Sequence, residues 1–180
     1  MSISKLIVVT GPESCGKTTL ANALASKLPA PLVPEVSRDY LEQKIAENSE
    51  YRYDKDDLLT IARAQEQTEI ATSDKHLGLV VCDTDLLVII IWSEMRFGDC
   101  HPWILETFEK KVERGNRSYL LCDHDMPWEP DPLRESAETR PELFRLYQEK
   151  LDTYNLDYHI IKGNAEERLK SSSALIPSLF

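Results

Sequence analysis

The chain has 180 residues, 42% of them apolar and 29% charged, a length and composition that suit one ordinary globular domain with a sizeable core. Its 31 acidic residues outnumber the 21 basic ones, for a formal charge of -10; a phosphate backbone would be repelled, so a nucleic-acid surface is not expected and a small-molecule substrate is. The longest apolar run, 86–92, is too short to cross a bilayer, and the start lacks the apolar stretch of a signal peptide, so no membrane association is expected. Cys15, Cys82, Cys100 and Cys122 form no CxxC pair, which points to neither a zinc site nor a disulfide framework and fits a reducing cytoplasm.

In chain order, the first predicted strand is the β-branched run 6–10, and downstream Leu20, Ala21, Leu24 and Leu28 recur at helical spacing. Between them stands Gly11-Pro-Glu-Ser-Cys-Gly16-Lys17-Thr18, which fits the phosphate-binding loop G-x-x-x-x-G-K-[ST] in its required strand–loop–helix setting. Such a loop turns successive backbone NH groups inward, and the helix that follows adds the positive end of its dipole, so a polyphosphate is the fitting ligand. The expected ATP contacts are Gly11, Glu13, Ser14, Cys15, Gly16, Lys17 and Thr18, with Thr19 adjoining. Lys17 would reach the β- and γ-phosphates and the Thr18 hydroxyl would enter the Mg²⁺ shell. Cys15, beside Lys17 at a helix N-terminus, has surroundings that lower a thiol pKa.

The second predicted strand, 32–35, ends in Glu35, with Arg38 three residues on. If this strand lies beside the 79–83 strand, Glu35 projects where an acceptor hydroxyl would sit and can take its proton, with Arg38 orienting it or holding substrate; the alternative is a surface ion pair in a first helical turn. A helical pattern spans 54–75 with Asp54 as N-cap, and Gln65 falls on its apolar face, either to recognise an amide or base or as a core amide satisfied by backbone. The strand 79–83 ends in Asp83, the carboxylate expected in the magnesium shell. Asp85, two residues on, is either a substrate ligand on the same side or the N-cap of the helix starting at Leu86.

A fourth strand is predicted over 119–122 and a fifth over 158–161, after which Gly163 to Arg168 are placed near adenine. Between these strands the segment 126–141 holds four prolines, at 127, 130, 132 and 141, which exclude a continuous helix and suggest a lid. Its Arg134 and Arg140 would close over the transferring phosphate, Arg134 foremost, or else remain solvated loop arginines. Trp128 would stack on a planar ring, bind an arginine by cation–π contact, or pack the lid; Trp92 and Trp103 sit in apolar helical contexts and are expected in the core. Strands alternating with crossover helices predict an α/β P-loop NTPase fold, a parallel five-stranded sheet with helices on both faces, in a single domain over 1–180.

The ordered series Gly11-Pro-Glu-Ser-Cys-Gly-Lys-Thr-Thr-Leu20, Pro34-Glu35, Arg38-Asp39-Tyr40, Ala64-Gln65, Asp83-Thr84-Asp85 and Pro127-Trp128 through Asp131 to Leu133-Arg134 resembles the ribosylnicotinamide kinase domain of NadR-type proteins, small AAA-like P-loop ATPases and kinases. The resemblance implies transfer of the ATP γ-phosphate to the ribose 5'-hydroxyl of nicotinamide riboside. It also implies that Trp128 stacks on the ring and that Asp85 and Glu35 hold or deprotonate the ribose. Members carry an adenylyltransferase domain ahead of this one, whereas here Met1 leads straight into the first strand, and Cys15 and Pro132 replace a usual serine and glycine. The expectation is a magnesium-dependent kinase in which Lys17, Thr18, Asp83 and Arg134 manage phosphate and metal while Glu35 or Asp85 activates the acceptor. The alternatives are a kinase for another nucleoside or metabolite, and a nucleotide-driven switch that answers to a protein partner.

Overall fold

The structure, a computed structural model, describes residues 4–130 and 138–179. In chain order it comprises β1 (Lys5–Thr10), α1 (Lys17–Lys27), β2 (Leu32–Val33), α2 (Val36–Glu47), α3 (Lys55–Ser73), β3 (Leu79–Asp83) and α4 (Leu86–Phe97). There follow α5 (Pro102–Glu113), β4 (Arg117–Cys122), α6 (Arg140–Thr153), β5 (Tyr158–Ile161), α7 (Ala165–Leu175) and a 3-10 turn over Ile176–Ser178. The five strands form one parallel sheet in the order β2-β3-β1-β4-β5.

The inner strands are apolar on both faces because both faces are covered. Leu6, Val8, Val80, Cys82, Tyr119 and Leu121 face a large core shared with α2 to α6. Ile7, Val9, Val81, Leu120 and Cys122 face a smaller one closed by α1 and by residues of α7. The apolar run that opens α4, Leu86 to Ile91, is buried in the larger core, as a helix apolar all round should be. No described helix is long and apolar enough to cross a membrane.

Three strand boundaries differ from the sequence expectation, β1 starting one residue earlier at Lys5. β2 stops at Val33 because Pro34 has no N–H for the ladder, so Glu35 is the N-cap residue of α2 rather than the end of a strand. β4 begins at Arg117, where an apolar run gives no signal, because that guanidinium is buried among acidic partners. The helix predicted over 54–75 forms at Lys55–Ser73, opened by a reciprocal capping box between Asp54 and Asp57.

From β1 the chain leaves into α1 on one face, and from neighbouring β3 into α4 on the other. Adjacent strands whose connections part in this way leave a crevice at their carboxyl ends, where ligands of open α/β sheets bind. Val9 pairs with Asp83 in register, so the loop after β1 and the acid ending β3 meet at that crevice.

Candidate active site

The phosphate loop takes its shape from backbone that tolerates little else. Gly11 has φ 138°, and a Cβ there would lie 2.7 Å from the Cys122 carbonyl oxygen. Gly16, the N-cap of α1, has φ 76°, and a Cβ would lie 2.8 Å from the Met126 sulfur. Ser14 is also left-handed, at φ 53°, and such alternation turns the amides of the loop inward into an anion-binding nest. Arg168, 1% exposed, braces the loop from beneath: its guanidinium donates to the Cys15 carbonyl at 2.8 Å and the Asp123 carbonyl at 2.9 Å, and its Nε to the Gly163 carbonyl at 2.7 Å. It also pairs with Asp125. This buried arginine ties α7 and β4 to the loop, a role that no local sequence pattern announces.

Lys17 donates to the Pro12 carbonyl at 2.6 Å. Burial alone would lower its pKa, but the negative surroundings of Cys15, Glu35 and Asp83 outweigh it and raise it. Cys15 is fully buried, and its thiol donates to the same Pro12 oxygen at 2.9 Å. Burial would raise its pKa; a hydrogen bond from Cys122 and the charges of Lys17 and Arg168 prevail and bring it down to about 7.

The cavity over the loop has a volume of about 250 Å³, and Glu35, Ser37, Arg38 and Glu129 share its wall with the loop residues. Ser37 Oγ donates to Glu35 Oε1 at 2.6 Å, fixing a carboxylate at the rim. Arg38 pairs with Glu42 at 3.1 Å, one helical turn along, so the ion pair weighed at this turn forms with a different acid. Asp83 is 2% exposed and its Oδ1 has no hydrogen-bond partner. Burial pushes its pKa up to about 6, against a hydrogen bond from Thr18 and with the nearby charge of Glu35 adding to the rise. An orphaned, desolvated carboxylate beside the Thr18 hydroxyl fits a divalent cation. No cluster of three or more acidic, histidine or cysteine ligands occurs among the described residues, which fits an ion completed by phosphate oxygens and water.

Two expected substrate ligands are instead structural. Asp85 is 0% exposed: Oδ1 caps α4 by accepting from Leu87 N at 3.0 Å, and Oδ2 accepts from Arg117 at 2.8 Å and from the Tyr119 hydroxyl at 2.7 Å. Both oxygens are engaged in a dry setting closed to solvent, and the N-cap alternative is the one the structure displays. Gln65, 3% exposed, accepts from Val36 N at 3.0 Å and donates to the Pro34 carbonyl at 3.2 Å. It clamps both sides of Glu35 from α3 and thus positions that carboxylate without touching a ligand.

At the start of the expected lid, Glu129 N donates to Ser14 Oγ at 2.9 Å. Arg140 donates to the Met126 carbonyl at 2.8 Å and the Ser14 carbonyl at 3.5 Å, with its guanidinium 5.5 Å over the Trp128 ring. Arg140 therefore fastens this segment to the phosphate loop, and Trp128 takes the cation–π alternative. Asp131, Pro132, Leu133 and Arg134 lie outside the described residues. Beside Gly16 an apolar slot of about 260 Å³ opens between α1 and α7, walled by Thr19, Leu20, Ala23, Met126 and Leu169. Trp92, expected in the core, is only half-buried and faces the cavity.

Fold and site together define a P-loop α/β protein with a parallel five-stranded sheet. The AAA domain family matches the chain over residues 6–168, and the chain belongs to it. The trifunctional NAD biosynthesis/regulator protein NadR of Escherichia coli strain K12 is 26% identical over 158 residues, covering 86% of this chain and 37% of the relative; the chain thus spans less than half of that relative's length. A NadR protein crystallised with NAD and AMP-PNP superposes with a TM-score of 0.70 at 21% identity, covering 97% of this chain and 49% of the other. Thymidylate kinase from Ehrlichia chaffeensis superposes with a TM-score of 0.66 at 16% identity, covering 96% of this chain and 98% of its own.

Proposed function

We propose that this chain is an ATP-dependent phosphotransferase that phosphorylates a nucleoside hydroxyl, with the 5'-hydroxyl of nicotinamide riboside as the leading acceptor and a reducing cytoplasm as its setting. The observation that carries the reading is the juxtaposition, on one crevice, of the phosphate loop, the orphaned Asp83 carboxylate and Glu35 held at the rim by Ser37 and Gln65.

On this reading the loop amides and Lys17 receive the triphosphate, and Lys17 exchanges the Pro12 carbonyl for phosphate oxygens. The slot between α1 and α7 accepts adenine. Thr18 and Asp83 would hold Mg²⁺, which when bound neutralises charge on the phosphates. Glu35 accepts the proton of the attacking hydroxyl, a transfer that needs hydrogen-bond reach. Arg134 and Arg140 were the expected lid cations. Arg140 is engaged with the loop backbone, so the proposal gives it the task of closing the segment around the site and leaves the charge-neutralising role to Arg134. The relative NadR, an NAD biosynthesis protein, supports nicotinamide riboside as the acceptor.

A coupled assay of ADP release across a panel of nucleosides tests the reading. The expected result is slow ATP hydrolysis alone and at least tenfold stimulation by nicotinamide riboside or another nucleoside. Stimulation by no nucleoside would overturn it and favour a nucleotide-driven switch.

A further inference from the structure

Next to the phosphate cavity lies a second one of about 340 Å³, walled by Leu41 of α2, Tyr53, Trp92, Met95 and Arg96 of α4, and Leu143 of α6. The two share Glu13, Leu41 and Trp92, so a molecule with one end over the loop would reach the second cavity along the Trp92 ring. Its wall is aromatic and aliphatic: Tyr53 packs edge-on to Phe97 with centroids 6.2 Å apart, and the Arg96 guanidinium lies 4.6 Å over the Tyr53 ring. Met95 is 45% exposed there, an adaptable apolar surface suited to ligand contact. A cavity walled by aromatic rings and continuous with the phosphate cavity suits a ligand with a ring at one end and a reacting polar group at the other.

Resting on the kinase reading above, we propose that Trp92 is the residue that selects the acceptor. The acceptor is then a nucleoside whose planar aromatic ring stacks against Trp92 in this second cavity, placing its ribose hydroxyl toward Glu35. Trp128, which the family resemblance favours, contributes to the wall of neither cavity and already holds Arg140 over its ring. Trp92 lines both cavities from a helix buried over Leu86 to Ile91, so stacking there orders little that is not already ordered. Acceptors without an aromatic ring forfeit the contact.

The experiment is tryptophan fluorescence and steady-state kinetics on the full chain with Mg-ATP, using nicotinamide riboside, adenosine, uridine, thymidine and D-ribose as probes. In the wild type an aromatic nucleoside quenches fluorescence and stimulates ADP release, whereas D-ribose does neither. Trp92→Phe loses the quench, whereas Trp128→Phe keeps it. Trp92→Ala raises the acceptor KM roughly tenfold or more, with the ATP affinity measured by calorimetry unchanged, a control for folding. An unchanged KM in Trp92→Ala, or a quench lost in Trp128→Phe and retained in Trp92→Phe, overturns the assignment of Trp92 while the kinase reading stands. Failure of every nucleoside to stimulate the wild type overturns both.

Discussion

Asp83 and Asp85 lie two residues apart at the exit of one strand, and their surroundings give them opposite fates. Asp83 keeps one oxygen unpartnered in a buried place, and its pKa rises to about 6. Asp85 is buried more completely, yet a capping amide, a guanidinium and a phenol satisfy both of its oxygens. The second arrangement extends into a buried network: Arg117 also reaches Glu69 at 3.0 Å, and Lys111 pairs with Glu69 at 2.5 Å and with Glu66. Burial alone thus does not mark a functional acid. Asp83 is set apart by burial with a vacancy in its bonding, a state that a cation or a proton would relieve.

The largest effect expected from this contrast is on chemistry at the open end. Lys17→Ala removes the only side-chain cation of the loop itself and should lower ATP turnover by about 10²–10³-fold, read by ADP release, with the fold retained by circular dichroism. At the closed end the loss should appear in stability. Arg117→Met leaves Asp85 and Glu69 without their shared partner and should cost about 3–5 kcal/mol in urea unfolding; a cost below about 1 kcal/mol would show that these pairs do not form in solution.

Smaller effects sharpen the comparison. Asp83→Asn should stabilise the metal-free protein at pH 8 by roughly 1–3 kcal/mol, since a carboxylic acid whose folded pKa is raised costs stability once pH climbs from the unfolded value through about 6. Glu69 has the opposite sign: its pKa is lowered, burial notwithstanding, by Arg117 and Lys111. Its contribution is present above the ordinary glutamate value and lost as pH falls through the lowered folded one, so Glu69→Gln should flatten the acid limb of the stability profile. Gln65→Leu, which unties the backbone on both sides of Glu35, should cost about 1–3 kcal/mol and lower kcat more than the KM for ATP.

Much of the architecture was legible because the signals were local. The β-branched runs at 79–83 and 158–161 match β3 and β5, and the spacing of Gly11, Gly16, Lys17 and Thr18 sufficed to locate the phosphate loop. Where the sequence left alternatives open, the deciding partners lie far along the chain. Asp85 is made structural by Arg117 and Tyr119, more than 30 residues away, and Gln65 by the backbone at Pro34 and Val36; neither partner is visible in a local pattern. Trp92 looked like core because its neighbours are apolar; it packs against the larger core and also lines two cavities. Arg168 gave no sign at all of its place beneath the loop.

The account turns on whether the cradle and Asp83 act together on a metal–nucleotide complex. Titration calorimetry of the wild type and Asp83→Asn with Mg-ATP, and with ATP in EDTA, measures this directly. Tight Mg-ATP binding by the wild type, weakened about tenfold or more in Asp83→Asn while metal-free ATP binds both alike, is the predicted result. Equal Mg-ATP affinity in the two proteins, or no heat of binding in either, would contradict it.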